Sequence, residues 1–194
     1  VTQTELIVAD ADAFREWLRA NGTVSDGVWL VLAKKGTADP TSLTYAQALD
    51  EALCEGWIDG QKRSRDAATF AQRFTPRRRA SVWSKRNVGL TEELIAAGRM
   101  RPAGLAEIER AKADGRWAAA YSGQASTTVP DDLAAALAAN AEASAMFTRL
   151  NGANRFAVLF RVETAKRPDT RARRVEQLVA MLARGETIHP QKSR

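Results

Sequence analysis

Residues 57–61, WIDGQ, and 69–74, TFAQRF, read as the two arms of a β-hairpin, and Pro76 just beyond the second arm marks where the chain changes character. In Thr69–Phe74 the side chains alternate: Phe70 and Phe74 fall on one face and Thr69, Ala71 and Arg73 on the other, the period of two that a strand requires. The link from Lys62 to Ala68 is short enough for an antiparallel return. Upstream, Val28–Leu32 (VWLVL) lies between Asp26-Gly27 and Lys34-Lys35-Gly36 and suits a strand buried on both faces. Two helices complete this part. Ala11–Ala20 places Phe14, Trp17 and Leu18 on one side and stops at Asn21-Gly22, while Tyr45–Glu55 has Thr44 as its N-cap and Gly56 as its stop.

After Pro76 the hydrophobic period becomes helical and stays so to residue 184. Gly98, Gly115, Gly152 and Gly185 fall just past periodic segments, and Pro102, Pro130 and Pro168 stand where first helical residues belong, which predicts about five helices. The fold class is therefore α+β: a small, mostly antiparallel sheet over residues 28–74 in the N-terminal part and a helical C-terminal part. The expected parts are 1–80 and 81–194, packed as one compact unit, with the polar link Gly123–Thr128 as the best internal boundary. In the last helix Val175, Leu178, Val179 and Leu182 form the apolar stripe. Arg171, Arg173 and Arg174 lie near its start, where cations oppose the helix dipole; a compensating acid, with Asp169 at hand, or an anionic ligand is expected there.

The 194 residues are 45% hydrophobic and 27% charged, ordinary globular usage that excludes a disordered or membrane-embedded chain. No apolar run approaches the ~20 residues of a spanning helix, and the start, VTQTELIVADADAF, lacks the n- and h-regions of a signal peptide, so the cytoplasm is the expected location. One cysteine and one histidine leave no Cys-based zinc site and no well-held histidine triad, and no metal or cofactor is expected. Phosphate-loop, dinucleotide-binding and nucleophile-elbow motifs are absent. Cys54 sits with Leu49 and Leu53 and reads as a small core residue, while the pairs Asp131-Asp132 and Glu92-Glu93 read as first-turn carboxylates.

The formal charge of +6 is unevenly spread. Residues 62–86 hold nine bases against one acid and residues 155–194 ten against four, whereas residues 1–61 hold four against ten. The central stretch also contains the most concentrated side-chain chemistry of the chain: Trp57, Asp59, Arg73, Arg77, Trp83, Lys85 and Asn87 form the candidate ligand-binding set. With the hairpin paired, Trp57 or Asp59 is expected across from Arg73, an Asp–Arg pair orienting a guanidinium toward an anion, with Trp83 as an apolar wall. Asp59 and Trp83 are expected to flank one concavity lined by Arg73 or Lys85.

Several runs carry a likeness. Ala52–Gly60 (ALCEGWIDG), Phe74–Arg77 (FTPR), Trp83-Ser84-Lys85-x-Asn87, Gly98–Gly104 (GRMRPAG) and Thr164–Arg174 (TAKRPDTRARR) resemble the YdeI/OmpD-associated, or bacteriocin-protection, proteins, and the likeness spans residues 28 to 189. The resemblance implies a bacterial α+β protein linked to envelope protection and stress resistance, with no established catalytic residue; the family's descriptions lean toward the periplasm. The expected function is non-enzymatic: a binding or protective protein holding an anionic small molecule, polymer or acidic protein partner on the Trp/Arg surface. The alternative is an enzyme without histidine, with Asp59 as acid or base and Arg73 and Lys85 stabilising negative charge. Weak nucleic-acid binding by basic and aromatic side chains ranks third.

Overall fold

The computed structural model describes residues 5–124 and 126–191. The chain separates at Ala118/Ala119 into two compact units. In the first, β1 (Glu5–Leu6), α1 (Ala11–Asn21), β2 (Val28–Ala33), α2 (Tyr45–Cys54), β3 (Trp57–Ser64) and β4 (Thr69–Pro76) are followed by α3 (Lys85–Ala96) and α4 (Pro102–Ala113). The sheet order is β1-β2-β4-β3; β4 pairs antiparallel with both β2 and β3, and β1 pairs parallel with β2. The expected α+β architecture with a mainly antiparallel sheet is present. The parallel edge strand is an addition: with two residues, β1 is too short to show a period, and it is held as a strand by the β1–α1–β2 crossover that returns the chain alongside it.

The core of this unit lies between the sheet and its helices. Phe14 and Leu18 of α1, Ala48 and Ala52 of α2, Val28, Leu30 and Leu32 of β2, Trp57 of β3 and Phe70 and Phe74 of β4 make one buried cluster. All six residues of β2 are buried, as its continuous apolar run requires. Helix α2 begins with a capping box, Thr44 and Gln47 satisfying each other's backbone amides, and ends at Gly56, whose φ of +75° is the left-handed conformation a stop needs. Six of its ten residues are buried because α1 packs on one side and α3 and α4 on others. α4 comes close because of Gly104: a Cβ there would stand 2.2 Å from the Cys54 carbonyl oxygen. The Arg101 amide donates to that same oxygen at 3.1 Å. The chain consequently separates after α4 and not near residue 80, where the hydrophobic period changes.

The second unit holds α5 (Asp131–Ala138), α6 (Ala141–Arg149), α7 (Gly152–Glu163) and α8 (Pro168–Ala183) around Leu133, Leu137, Met146, Phe147, Val158, Val162, Val175, Leu178 and Leu182. Among the described residues six helices follow Pro76, where about five were expected. Gly152 opens α7 behind the Asn151 cap and does not end α6; Pro130 is the N-cap of α5, whereas Pro102 and Pro168 are first helical residues as expected. Glu92 and Glu93 lie in the second half of α3, not in a first turn. The cations at the start of α8 have internal uses: Arg171 makes a two-pronged pair with Asp132 of α5, not with the neighbouring Asp169 that was expected, and donates to Val162 O, while Arg174 donates to Arg161 O. Unfavourable at the head of α8, they are favourable at the tail of α7, where carbonyls lack partners.

Glu51 of α2 is buried and accepts from Arg15 of α1 through two hydrogen bonds of 2.8 Å and from Arg99 at 2.7 Å. Burial pushes its pKa up, but the bonds from Arg15 and the charge of Arg99 outweigh burial and hold the carboxyl below its ordinary 4.5. Removing the carboxylate leaves Arg15 with Asp12 and Arg99 with Asp50 as remaining partners, and both guanidiniums keep some contact with water, so Glu51→Ala should cost about 2 kcal/mol, less than the loss from a fully enclosed pair. Urea denaturation at several pH values checks this. A depressed folded pKa stabilises above the unfolded value, so the wild-type advantage should be complete above about pH 4.5 and shrink as pH falls through the folded value. A pH-independent difference would show that the carboxylate's charge is not what matters.

Candidate functional site

The register of the hairpin decides which side chains meet. Asp59 lies opposite Phe74 and Lys62 opposite Gln72, so three steps on β3 match two on β4: a β-bulge around Gly60. The bulge leaves the Gly60 carbonyl outside the ladder, and Gln72 donates its Nε2 to it at 2.8 Å. The extra residue also changes parity. Without it Asp59, Gln61 and Arg63 would share a face; with it Lys62 joins Asp59, Gln72 and Phe70 on the helix-covered face, while Arg63 turns to the other side over the Trp29 ring and onto Glu5.

Helix α2 completes this surface. Its first residue, Tyr45, donates its hydroxyl to Asp59 Oδ2 at 2.8 Å, and Arg86 approaches the same hydroxyl oxygen at 3.5 Å with its guanidinium 5.7 Å from the ring centre. Lys62 Nζ stands 4.1 Å above the Phe70 ring. Together Tyr45, Asp59, Gly60, Lys62, Phe70 and Gln72 line a cleft of about 360 Å³. Burial, and then the Asp59 carboxylate beside it, push the Tyr45 hydroxyl above its ordinary pKa, so it remains a donor at neutral pH. The cleft thus presents two aromatic rings, one fixed carboxylate and the Lys62 cation, with Arg86 beside the Tyr45 ring.

Of the seven residues expected to form one site, Asp59 is in this cleft and the others are distributed. Arg73 follows Asp59's partner by one position in reverse, so it points to the opposite face, 3.9 Å from Asp26 and across from Trp29. The expected Asp59–Arg73 pair is therefore not formed. Trp57 is core, donating to Gly22 O and standing edge-on to Trp17. Arg77 and Trp83 do meet, the guanidinium 3.5 Å from the ring centre, but both are buried and Trp117 packs behind. Trp83 therefore backs Arg77 and not Asp59. Arg77 and Trp57 border a second cleft of about 340 Å³ with Glu55, Glu107 and Arg110. There Glu107 is bound by Arg110 and, at 2.9 Å, by Arg116, and burial pushes the Glu55 carboxyl up. Lys85 is the exposed first residue of α3, and Asn87 is buried in its first turn, its amide donating to the Ser84 cap.

The cleft residues not anticipated from sequence are Tyr45, Lys62, Phe70 and Gln72. A glycine inside a strand pattern, Gly60, was the available sign of a bulge and hence of Lys62's change of face. Cys54 is a core thiol as expected, pushed up to about 11 by burial and by Glu51, and so it stays protonated. His189 contributes its backbone, exchanging hydrogen bonds with Asn154. Among the described residues no group of three or more His, Cys, Asp and Glu side chains is placed to hold a metal, and no helix is long and apolar enough to cross a membrane.

The arrangement defines a class: a mixed four-stranded α+β unit with an open polar cleft at its β3 edge, in a chain whose second unit is all helical. Residues 6–107, just over half of the chain, match the family model described as Domain of unknown function (DUF8412), and the chain belongs to that family. Residues 126–185 match a second model, Bacteriocin-protection, YdeI or OmpD-Associated. The likeness read across residues 28–189 is thus supported over 126–185, where Thr164–Arg174 falls; the runs between Ala52 and Gly104 fall in the first match. No curated protein and no solved structure matches the chain.

The contact between Tyr45 and Asp59 has a spectroscopic consequence. Asp59→Asn removes a negative charge beside the hydroxyl and should lower the Tyr45 pKa toward its ordinary value of 10.0. Tyrosinate absorbance titration, with Tyr45→Phe to assign the transition against Tyr121, reads the shift; an unchanged Tyr45 titration would mean that burial alone sets it.

Proposed function

We propose that the first unit is a binding module for a small anion that itself carries an N–H or O–H donor, taken up in the Tyr45–Asp59–Lys62 cleft. The observation that carries this reading is the bulge-placed juxtaposition of Asp59 and Lys62 on one face, with Tyr45 holding one carboxylate oxygen. Lys62 and Arg86 supply cations for the ligand's charge, Asp59 accepts from its donor, and the Phe70 and Tyr45 rings bracket its body. A carboxylate among the cations disfavours simple polyanions and favours hydroxy or amino acids. Binding is preferred to catalysis because the acid–cation pair on which the enzymatic alternative depends, Asp59 with Arg73, is split between the two faces of the sheet. Within the protective role that the family description of residues 126–185 names, this unit is the part that holds the ligand.

A thermal-shift panel of hydroxy acids, amino acids and their neutral amides tests the reading. At least one anionic member should stabilise the wild type. Lys62→Glu and Asp59→Asn should lose that response while their unliganded melting temperatures stay within about 2 °C of wild type, since both side chains retain solvent contact. A response kept in full by Lys62→Glu would move the site elsewhere.

A further inference from the structure

The second unit has a cleft of its own, independent of the one above. Between α7 and α8, Phe160, Arg161, Thr164, Arg174, Gln177, Leu178 and Met181 enclose about 420 Å³, and none of these residues is acidic. Leu178 is buried, and Phe160 is held by Tyr121 edge-on at 4.8 Å and by Phe156 at 5.8 Å, so the apolar part of the lining is fixed. Arg174 is fixed too, its Nη1 donating to Arg161 O at 2.7 Å. That bond uses one of the five N–H donors of a guanidinium. Among the described residues neither Arg161 nor Arg174 is in an ion pair, in contrast to Arg171 one turn earlier, which Asp132 neutralises. Two guanidiniums beside a rigid apolar wall, with no carboxylate in the lining, are an arrangement that takes an oxyanion with an apolar body.

We propose that the α7/α8 cleft is a binding site for an amphipathic oxyanion, a carboxylate or phosphate monoester whose charged group lies between Arg161 and Arg174 and whose aromatic or short aliphatic body rests on Phe160, Leu178 and Met181. The Gln177 amide and the Thr164 hydroxyl border the same space and offer further hydrogen bonds to the head group. The C-terminal carbonyls of α7 oppose an anion here, which is why a cation tied to one of those carbonyls is needed.

The test uses the full chain carrying Lys62→Glu, which silences the first cleft, and follows arginine Nε–Hε resonances by NMR during titration with phenyl phosphate, benzoate, inorganic phosphate and phenol. Phenyl phosphate and benzoate should shift Arg161 and Arg174 saturably, inorganic phosphate should bind at least about tenfold more weakly for lack of an apolar body, and phenol should shift neither. Arg161→Ala, an exposed change, should weaken phenyl phosphate by about fivefold or more, and raising salt from about 50 to 200 mM should weaken it further. Saturation absent at about 10 mM, equal affinity for inorganic phosphate, or an affinity unchanged in both Arg161→Ala and Arg174→Gln would overturn the proposal.

Discussion

The buried carboxylate of Glu51 is the point from which the first unit is organised. It sits midway along α2 and is gripped by Arg15 from α1 and Arg99 from the segment after α3, three guanidinium–carboxylate hydrogen bonds on one ion. A buried charge is tolerated only when it is neutralised on more than one side, and meeting that demand fixes α2 relative to both neighbours. The two ends of the same helix carry the other constraints. At its N-terminus Tyr45 reaches Asp59 across the sheet edge; at its C-terminus the Cys54 carbonyl takes the Arg101 amide and lies against Gly104. A rotation of α2 about its axis would break all three at once, so the cleft at Asp59 is as well placed as the core salt bridge is strong.

What could be read from the sequence follows from how local each signal is. The buried strand read at Val28–Leu32, the Thr44 cap and the Gly56 stop depend on neighbours within a few residues, and each is where the pattern puts it; the hairpin arms begin where expected, but β3 runs on to Ser64, three residues into the expected link, and β4 to Pro76. The candidate site depended on parity between two strands, and one extra residue inverts parity for everything beyond it. Asp59 instead pairs with Phe74, and Arg73, expected across from it in the paired hairpin, is one position off that register and by alternation on the face away from Phe70 and Phe74. Tyr45 could not be paired with Asp59 from sequence at all, because that contact depends on where α2 lies over the sheet.

The tryptophans show the same limit from another side. Trp57 and Trp83 were both candidates for a ligand wall, and each is consumed in packing, Trp57 against Trp17 and Trp83 between Arg77 and Trp117. An arginine stacked face-on to a buried indole is an internal strut: its stem and plane are covered as an aromatic ring's would be, and its charge is offset by the ring's π-face and by the Val82 carbonyl. Run lengths of basic residues therefore overstate the surface charge they deliver. Within the central stretch Arg63 and Arg65 are bound to Glu5, Arg65 also to Asp66, and Arg77 is interior.

The distribution of spent and unspent cations separates structure from function more sharply than sequence charge does. A guanidinium has five donors, and where a carboxylate faces it, as Asp132 faces Arg171 or Asp114 faces Arg116, the pair is closed and its field is short-ranged. Where the only partner among the described residues is a carbonyl, as for Arg174, the positive charge is not paired with an acid there, and its field acts on the adjoining space. In the first unit the same criterion picks out Lys62, held over a ring and, among the described residues, not by an acid. Both selected cations border clefts with fixed aromatic walls, Phe70 in one and Phe160 in the other. They differ in one respect: the first lining contains a carboxylate, Asp59, which on the proposed reading calls for a donor on the ligand, whereas the described lining of the second has none. The two proposed sites thus differ in the selectivity expected of them, set by Asp59 in one lining and by the lack of an acid among the described residues of the other.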